Sequence, residues 1–516
     1  MDQKVKPEDL IDITKDRSHA PFAELTLQEN ENIDTYLEKK GLLKNMNLTF
    51  ADVVQPEQYS NIWSRSHIQD FDSKLVSSVV LKTPFTSANM ESVTGVELAV
   101  AMEREGGFGF IPQTLDIEEK EEMIERIKRS NSANIEKPLT ISPLSILRDA
   151  KEVMNRFNIY TLIVIDESGC PMGVLSGRDW RYETNDAKFV YDLLPERKLI
   201  FARSNISLND AAIILKNNRV EKLPLVDAKG KLSGLITAHG LFYTMRHPRA
   251  TRDGKGRFLV AGSIGVAKKD DLSDLPKLYD EVRRQLAVGA TFILIDTARA
   301  FSINMWVTVE MVKRNFPGVS IIAGNVSTPK GAKFLFELGV DCVKVGQGSG
   351  SRCLTRHVGT GIPQISAIAK CSVIAREYEK TLIADGGMKT PGDFANAIVA
   401  GANTTMSGSA FIITEESSAK AQPDKSGRKV KIYSGAASYT EQDKRLARGD
   451  LDAMRRPEGF TEQVYVVGNT RERFQDLLGG LRSSLSYYGV SNLDELREKA
   501  VFELQSQAGR SEGLKE

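Results

Sequence analysis

The 516-residue chain is 41% hydrophobic and 27% charged, the mix of a globular protein with a sizeable core, and its length predicts two or three domains. Lys plus Arg (69) and Asp plus Glu (68) nearly cancel, so no global field recruits nucleic acid or an anionic membrane, and neither partner is expected. No apolar run reaches membrane-span length and the first residues (MDQKVKPEDLIDITKDRSH) contain no apolar signal region, which predicts a cytoplasmic protein.

Residues 1–47 read as a polar N-terminal extension without a motif, containing one amphipathic stretch, NIDTYLEKKGLL (32–43). Two β-rich runs follow, LKTPFTSANM (81–90) and GGFGFIPQ (106–113). Six more come after residue 258: FLVAGSIGV (258–266), FILIDTA (292–298), VSIIAGNV (319–326), DCVKVGQG (341–348), TLIADGG (381–387) and TTMSGSA (404–410). Each of the six is followed by a polar or glycine-rich turn and a stretch of helical period. Alternating strands and helices make a parallel sheet. About eight such units predict the α/β class and a (β/α)8 TIM barrel, with a doubly wound open sheet as the alternative. In a barrel the carboxyl ends of the strands share one mouth, which would gather Asp296, Asn325, the loop carrying Cys353, Asp385, and Gly408 with Ser409.

Between the second and third runs lies an insertion with an internal repeat. LIVIDESGCPMGVLSGRDW (162–180) aligns with LPLVDAKGKLSGLITAHGL (223–241) at an offset of 61, matching Asp166 to Asp227, Gly169 to Gly230 and Gly173 to Gly234. The pattern resembles a pair of CBS domains, which in many families bind adenine nucleotides, with a Ser or Thr and an Asp three residues later on the ribose. That resemblance assigns Ser176 and Asp179 in the first copy and Thr237 in the second, where Gly240 stands at the acidic position. A structural or oligomerisation module is the other reading. The expected organisation is an extension (1–47), a barrel (48–130 and 249–516) with a flap at about 415–462, and an inserted tandem module (131–248).

The four cysteines (Cys170, Cys342, Cys353, Cys371) have no CxxC spacing, so neither a zinc site nor a disulfide framework is expected. Cys342 lies in an apolar strand pattern and reads as a small core residue. Cys353, in GQGSGSRCLTR (346–356), sits among loop glycines beside Arg352 and Arg356, which favour the thiolate and make it the candidate nucleophile. Glycine turns at GSGS (348–351), DGG (385–387) and SGS (407–409) together suggest a phosphate cradle, and Asp385 suits a ribose diol.

From about residue 48 onward the chain resembles the IMP dehydrogenase and GMP reductase family. SANMESVTG, EGGFGFI, DGKGRFLVAGSIGV, AGNV, KVGQGSGSRCLTR, GIPQISA, IADGGMKTPGDFANAIVAGA and LGGLRSSLSYYG occur in family order. The resemblance implies that Cys353 bonds purine C2 as a thioimidate, and that Thr355 handles water or ammonia at that carbon with Glu458 serving its protons. It assigns Ser351, Gly387, Gly408, Ser409 and Tyr433 to the 5′-phosphate, Asp385 to the ribose and Met90 to the base. Asp296, Asn325 and Gly346 fall on the nicotinamide side, and potassium at the carbonyls of Gly348, Gly350 and Cys353 is a family option. Tetramers or octamers, and ATP or GTP at the inserted module, are further family expectations.

Two departures bear on the reaction. DTARAF (296–301) puts Arg299 where the family carries histidine, and a basic residue there would meet the 2′-phosphate of NADPH rather than NAD. In dehydrogenases of the family an Arg-Tyr pair activates water; here Arg445 is followed by Leu446. The expectation is therefore GMP reductase (GMP and NADPH to IMP, ammonia and NADP), with IMP dehydrogenase (IMP, NAD and water to XMP and NADH) as the alternative. A catalytically silent adenine-nucleotide sensor is the reading from another class.

Overall fold

The structure is a computed structural model describing residues 31–44, 46–130, 134–157, 159–196, 198–253, 256–350, 353, 355–435 and 461–513. It divides into two compact units, one formed by the chain up to Glu125 together with the chain from Leu259, the other by Arg126–Phe258.

In the first unit the eight β-rich runs form eight strands: β1 (Phe85–Ser87), β2 (Phe108–Gly109), β3 (Ala261–Ile264), β4 (Phe292–Asp296), β5 (Ile321–Val326), β6 (Cys342–Val345), β7 (Thr381–Asp385) and β8 (Thr404–Ser407). They pair as one parallel sheet in the order β3, β4, β5, β6, β7, β8, β1, β2. This is a cyclic permutation of chain order, with β8 joined to β1 through Thr405↔Phe85, Met406↔Thr86 and Ser407↔Ser87. A doubly wound sheet needs a reversal of strand order. The order contains none, so that alternative fails and the fold is of the TIM-barrel type.

Alternation along each strand sorts the side chains into two layers. Ile293, Ile295, Ala323, Val343, Leu382 and Ala384 pack outward under the helices. Phe292, Leu294, Ile322, Cys342, Ile383 and Met406 form an inner cluster with Phe108 and Phe110, whose rings meet edge to face at 4.7 Å. The helices Pro329–Glu337 and Pro391–Val399 each start on a threonine cap, Thr328 or Thr390, with proline at the first helical position. The expected amphipathic stretch forms the helix Glu31–Lys39, which stops before Gly41 at φ +69°.

The second unit repeats one motif. Strands Thr161–Ile165 and Pro171–Ser176 pair antiparallel, as do Lys222–Val226 and Leu232–Thr237. Both ladders slip at equivalent places, between Val164 and Ile165 and between Leu225 and Val226. In the first turn Asp166 Oδ1 accepts from Cys170 N–H (2.8 Å), and in the second Asp227 Oδ1 accepts from Lys231 N–H (2.9 Å). Gly169 and Gly230 stand at φ +82° and +83°, which the sharp turn demands. The unit is wider than the 131–248 read from the repeat. Arg257 bonds both Glu136 and Asp253, and Asp253 also pairs with Lys128, so both flanks are tied to it. Among the described residues no helix is long and apolar enough to cross a membrane.

Candidate active site

The inward alternation that places apolar residues in the barrel interior ends in polar ones. On β4 the series Phe292, Leu294 leads to Asp296; on β6 Cys342 leads to Lys344; on β7 Ile383 leads to Asp385. Lys344, with 1% of its side chain exposed, bridges the two acids: Nζ lies 2.8 Å from Asp296 Oδ1 and 3.3 Å from Asp385 Oδ2. Asn89 Nδ2 donates to Asp296 Oδ2 (3.0 Å) while Asn89 Oδ1 accepts from Lys344 (3.3 Å). Asn325 Nδ2 donates to Asp385 Oδ2 (2.9 Å) and to Gly346 O (2.8 Å). Burial opposes charge on Lys344, but the carboxylates of Asp296 and Asp385 outweigh it and hold the ammonium above the usual lysine range. A β-carbon on Gly324 would stand 2.4 Å from Lys344 Cβ and 2.8 Å from Lys344 O, so glycine on β5 is what allows the two strands their close approach at this point.

Lys344 and Asn89 carry no role in the sequence reading above. The available signal is a charged residue at an inward position of the apolar run DCVKV, and it becomes legible once strand parity is assigned.

Two glycine loops meet beside this network. A β-carbon on Gly346 would fall 2.1 Å from Asp385 O, and one on Gly386 would fall 2.9 Å from Gly350 Cα. Backbone therefore packs on backbone between the loops after β6 and β7. Ser349 Oγ and Gln364 Nε2 both donate to Asp385 O (3.1 Å each). On the first loop Cys353 N–H donates to Gly350 O (3.1 Å), and Cys353 Sγ lies 3.0 Å from Thr355 Oγ1, which places thiol and hydroxyl side by side. Cys342 is fully buried, its thiol pushed up to about 12 by that burial, and Cys371 is raised by the same cause.

At the end of β8, Gly408 lies beneath Tyr433. A β-carbon there would stand 2.3 Å from the phenol oxygen and 3.2 Å from Met90 Sδ. The structure brings Tyr433, Gly408 and Met90 together, and Ser409 Oγ, next in the chain, donates to Met388 O (3.4 Å). Arg299 is exposed on the loop after β4. Ser351, Arg445 and Glu458 lie outside the described residues.

Residues 47–515 match the model of the IMP dehydrogenase / GMP reductase domain. The chain belongs to that family. Relatives named inosine-5′-monophosphate dehydrogenase include one from Aquifex aeolicus, 37% identical over 472 residues (90% of this chain, 94% of that protein), and one from Nitrosopumilus maritimus, 36% identical (90% and 97%). Among solved structures, a cysteine-to-alanine variant of GMP reductase from Trypanosoma brucei in complex with guanosine 5′-monophosphate is similar at TM-score 0.82 and 31% identity, covering 91% of this chain and 98% of that one. GMP reductase from the same organism in complex with guanosine 5′-triphosphate is similar at TM-score 0.72 and 29% identity, covering 89% and 98%. As a family member this chain is an oxidoreductase of purine metabolism that works with a nicotinamide dinucleotide.

The residues present fit that dinucleotide. Asn325 Oδ1 is buried without a hydrogen-bond partner beside Asp296 and the cysteine loop, an orphaned acceptor that a carboxamide N–H would satisfy. Of the three carbonyls expected to hold potassium, that of Gly350 accepts from Cys353 N–H. In the second unit Asp179 Oδ2 accepts from Ser176 N–H and Oγ–H at 2.6 Å each, and Thr237 Oγ1 accepts from Gly240 N–H (2.9 Å), so all three expected nucleotide residues act as helix caps.

Proposed function

We propose that this protein is a GMP reductase, converting GMP and NADPH to IMP, ammonia and NADP. The observation that carries the chemistry is the 3.0 Å approach of Cys353 Sγ to Thr355 Oγ1 at the barrel end that also holds Asp385. Cys353 attacks C2 of the guanine ring; the 2-amino group, protonated through Thr355 and Glu458, leaves as ammonia, and the C2–S bond remains as a thioimidate. NADPH, when bound, would supply the hydride that C2 needs; Cys353 then leaves as the thiolate when the C2–S bond breaks and IMP is released. Asp385 accepts from the ribose hydroxyls, with Lys344 and Asn325 fixing its carboxylate. Ser351, Gly387, Gly408, Ser409 and Tyr433 receive the 5′-phosphate, and Met90 packs against the base. Asp296, Asn325 and Gly346 hold the nicotinamide end, and Arg299 meets the 2′-phosphate.

Two observations support this direction. Leu446 follows Arg445 where a water-activating tyrosine would stand, a loss that costs a hydrolytic enzyme and leaves a reductase untouched. The likeness to a solved GMP reductase over 91% of the chain must also take in part of the inserted unit, so such a unit is compatible with reductase activity. IMP dehydrogenase is the second reading, favoured by the names of the sequence relatives. The inserted unit is assigned as a tandem CBS module taking ATP or GTP at Ser176, Asp179 and Thr237, in a cytoplasmic tetramer or octamer.

The deciding experiment is a pair of assays at the nicotinamide absorbance band. Loss of NADPH with GMP is expected. NADH production from IMP and NAD alone would establish the dehydrogenase instead, and silence in both with ATP or GTP bound would point to a sensor.

A further inference from the structure

The segments at the two ends of the barrel unit converge on one of its catalytic loops. The amino-terminal segment runs along the helix Gln364–Glu377, from Asn32 Nδ2 bonded to Glu377 (3.3 Å) to Leu48 N–H bonded to Ser366 Oγ (2.8 Å). It then turns at Phe50–Asp52, where Thr49 Oγ1 accepts from Ala51 N–H and the Asp52 carboxylate accepts from Thr49 N–H (2.7 Å). Phe50 is buried, and its Cε2 lies where a β-carbon on Gly387 would come within 3.2 Å.

The carboxyl-terminal segment follows the same path. Lys40 Nζ donates to Arg497 O (2.5 Å) and Ala500 O (2.6 Å), and Phe502 N–H returns a bond to Lys40 O (2.9 Å). Glu503 and Leu504 pair antiparallel with Val54 and Val53. Gln505 then grips the turn three times: its N–H donates to Asp52 O (2.9 Å), and Nε2 donates to Ala51 O and Val53 O (3.1 Å each). One residue thereby satisfies three carbonyls of a turn that carries Phe50, two of them through its side chain.

We infer that the two terminal segments form one strap, fastened by Gln505, that sets the Gly386–Gly387 loop through Phe50 and so tunes affinity for the 5′-phosphate of the purine nucleotide. Phe50 and Gln505 are positioning residues. Gly386 and Gly387 stand at φ +82° and +90°, with no side chain of their own to lock them, so the loop takes its placement from what packs against it. This inference rests on the assignment of Gly387 to the phosphate.

The test is equilibrium dialysis of the full-length protein with GMP, IMP and guanosine, on wild type, Gln505→Ala, Phe50→Ala and Phe50→Leu, with thermal melting as the check on folding. Gln505→Ala is expected to weaken GMP binding about fivefold, a shift readily resolved in a dissociation constant, while guanosine binding stays within about twofold. Phe50→Leu should recover much of what Phe50→Ala loses. GMP binding unchanged in Gln505→Ala, or guanosine weakened as much as GMP, would overturn the strap. Wild type that binds neither GMP nor IMP would instead overturn the substrate reading beneath it. Should Phe50→Ala fail to fold, Gln505→Ala alone decides.

Discussion

Lys344 on β6 and Asp296 on β4 form a 2.8 Å ion pair in the barrel interior, two strands apart, and Gly324 on the strand between them lies against the Lys344 backbone and Cβ. Removing one partner of a buried pair leaves the other charge uncompensated and typically costs about 3 kcal/mol or more. Lys344→Met is therefore expected to lower the melting temperature and to cut kcat/KM by about a hundredfold or more, since Asp296 and Asp385 both lose their counterion. Steady-state kinetics with a parallel thermal melt checks this; a fully active Lys344→Met would remove the lysine from the working site.

Gly324→Ala is the complementary change. Its methyl group would need the space of Lys344 Cβ, 2.4 Å away, and backbone on one strand must shift. Overpacking of this kind costs about 1–3 kcal/mol. Denaturant unfolding should show that loss, and turnover should fall with it because the same shift moves Lys344.

Cys353→Ala should abolish turnover in either direction while leaving the melting temperature and GMP binding near wild type, because the thiol is half-buried on a loop and contributes little packing. Mass spectrometry of quenched enzyme should find a purine adduct on wild type and none on the variant. Residual turnover above about one part in a thousand of wild type would undo the nucleophile assignment.

Arg299→Ala should raise KM for NADPH by about tenfold and leave KM for NADH nearly unchanged, the pattern expected when a charge-assisted contact to a phosphate is lost. Equal effects on both coenzymes would separate Arg299 from the 2′-phosphate.

Lys40 supplies a pH signature. Burial, then the charges of Arg376, Lys39 and Arg497, lower its pKa from the ordinary 10.5 to about 7. The unfolded chain then binds one more proton than the folded one between those values, so stability rises with pH from about 7 towards 10.5 and is flat in this term below 7. The urea midpoint at pH 9 should exceed that at pH 7, and Lys40→Met should flatten the difference. An unchanged slope in the variant would assign the effect elsewhere.

Much of this architecture was legible in one dimension. β-Branched runs at β3 to β8, each ending in a turn, announce a parallel barrel, and the offset of 61 between Asp166 and Asp227 announces a repeated hairpin whose bulges recur in register. The thiol stands out because a cysteine among loop glycines has no packing reason to be there. These are local signals: period, turn chemistry and spacing depend on residues close in sequence, and such patterns are set before the chain closes.

What only the folded chain decides is which distant residues share a space. Lys344 and Asp296 are 48 positions apart, and Gln505 reaches Ala51 across 454; no periodicity links either pair. Parallel strand pairing brings β4, β6 and β7 around one interior, where low polarity turns a lysine and two carboxylates from separate solvated charges into one coupled group. The same folding lets terminal segments, remote in the chain and unremarkable in composition, settle against the Gly386–Gly387 loop.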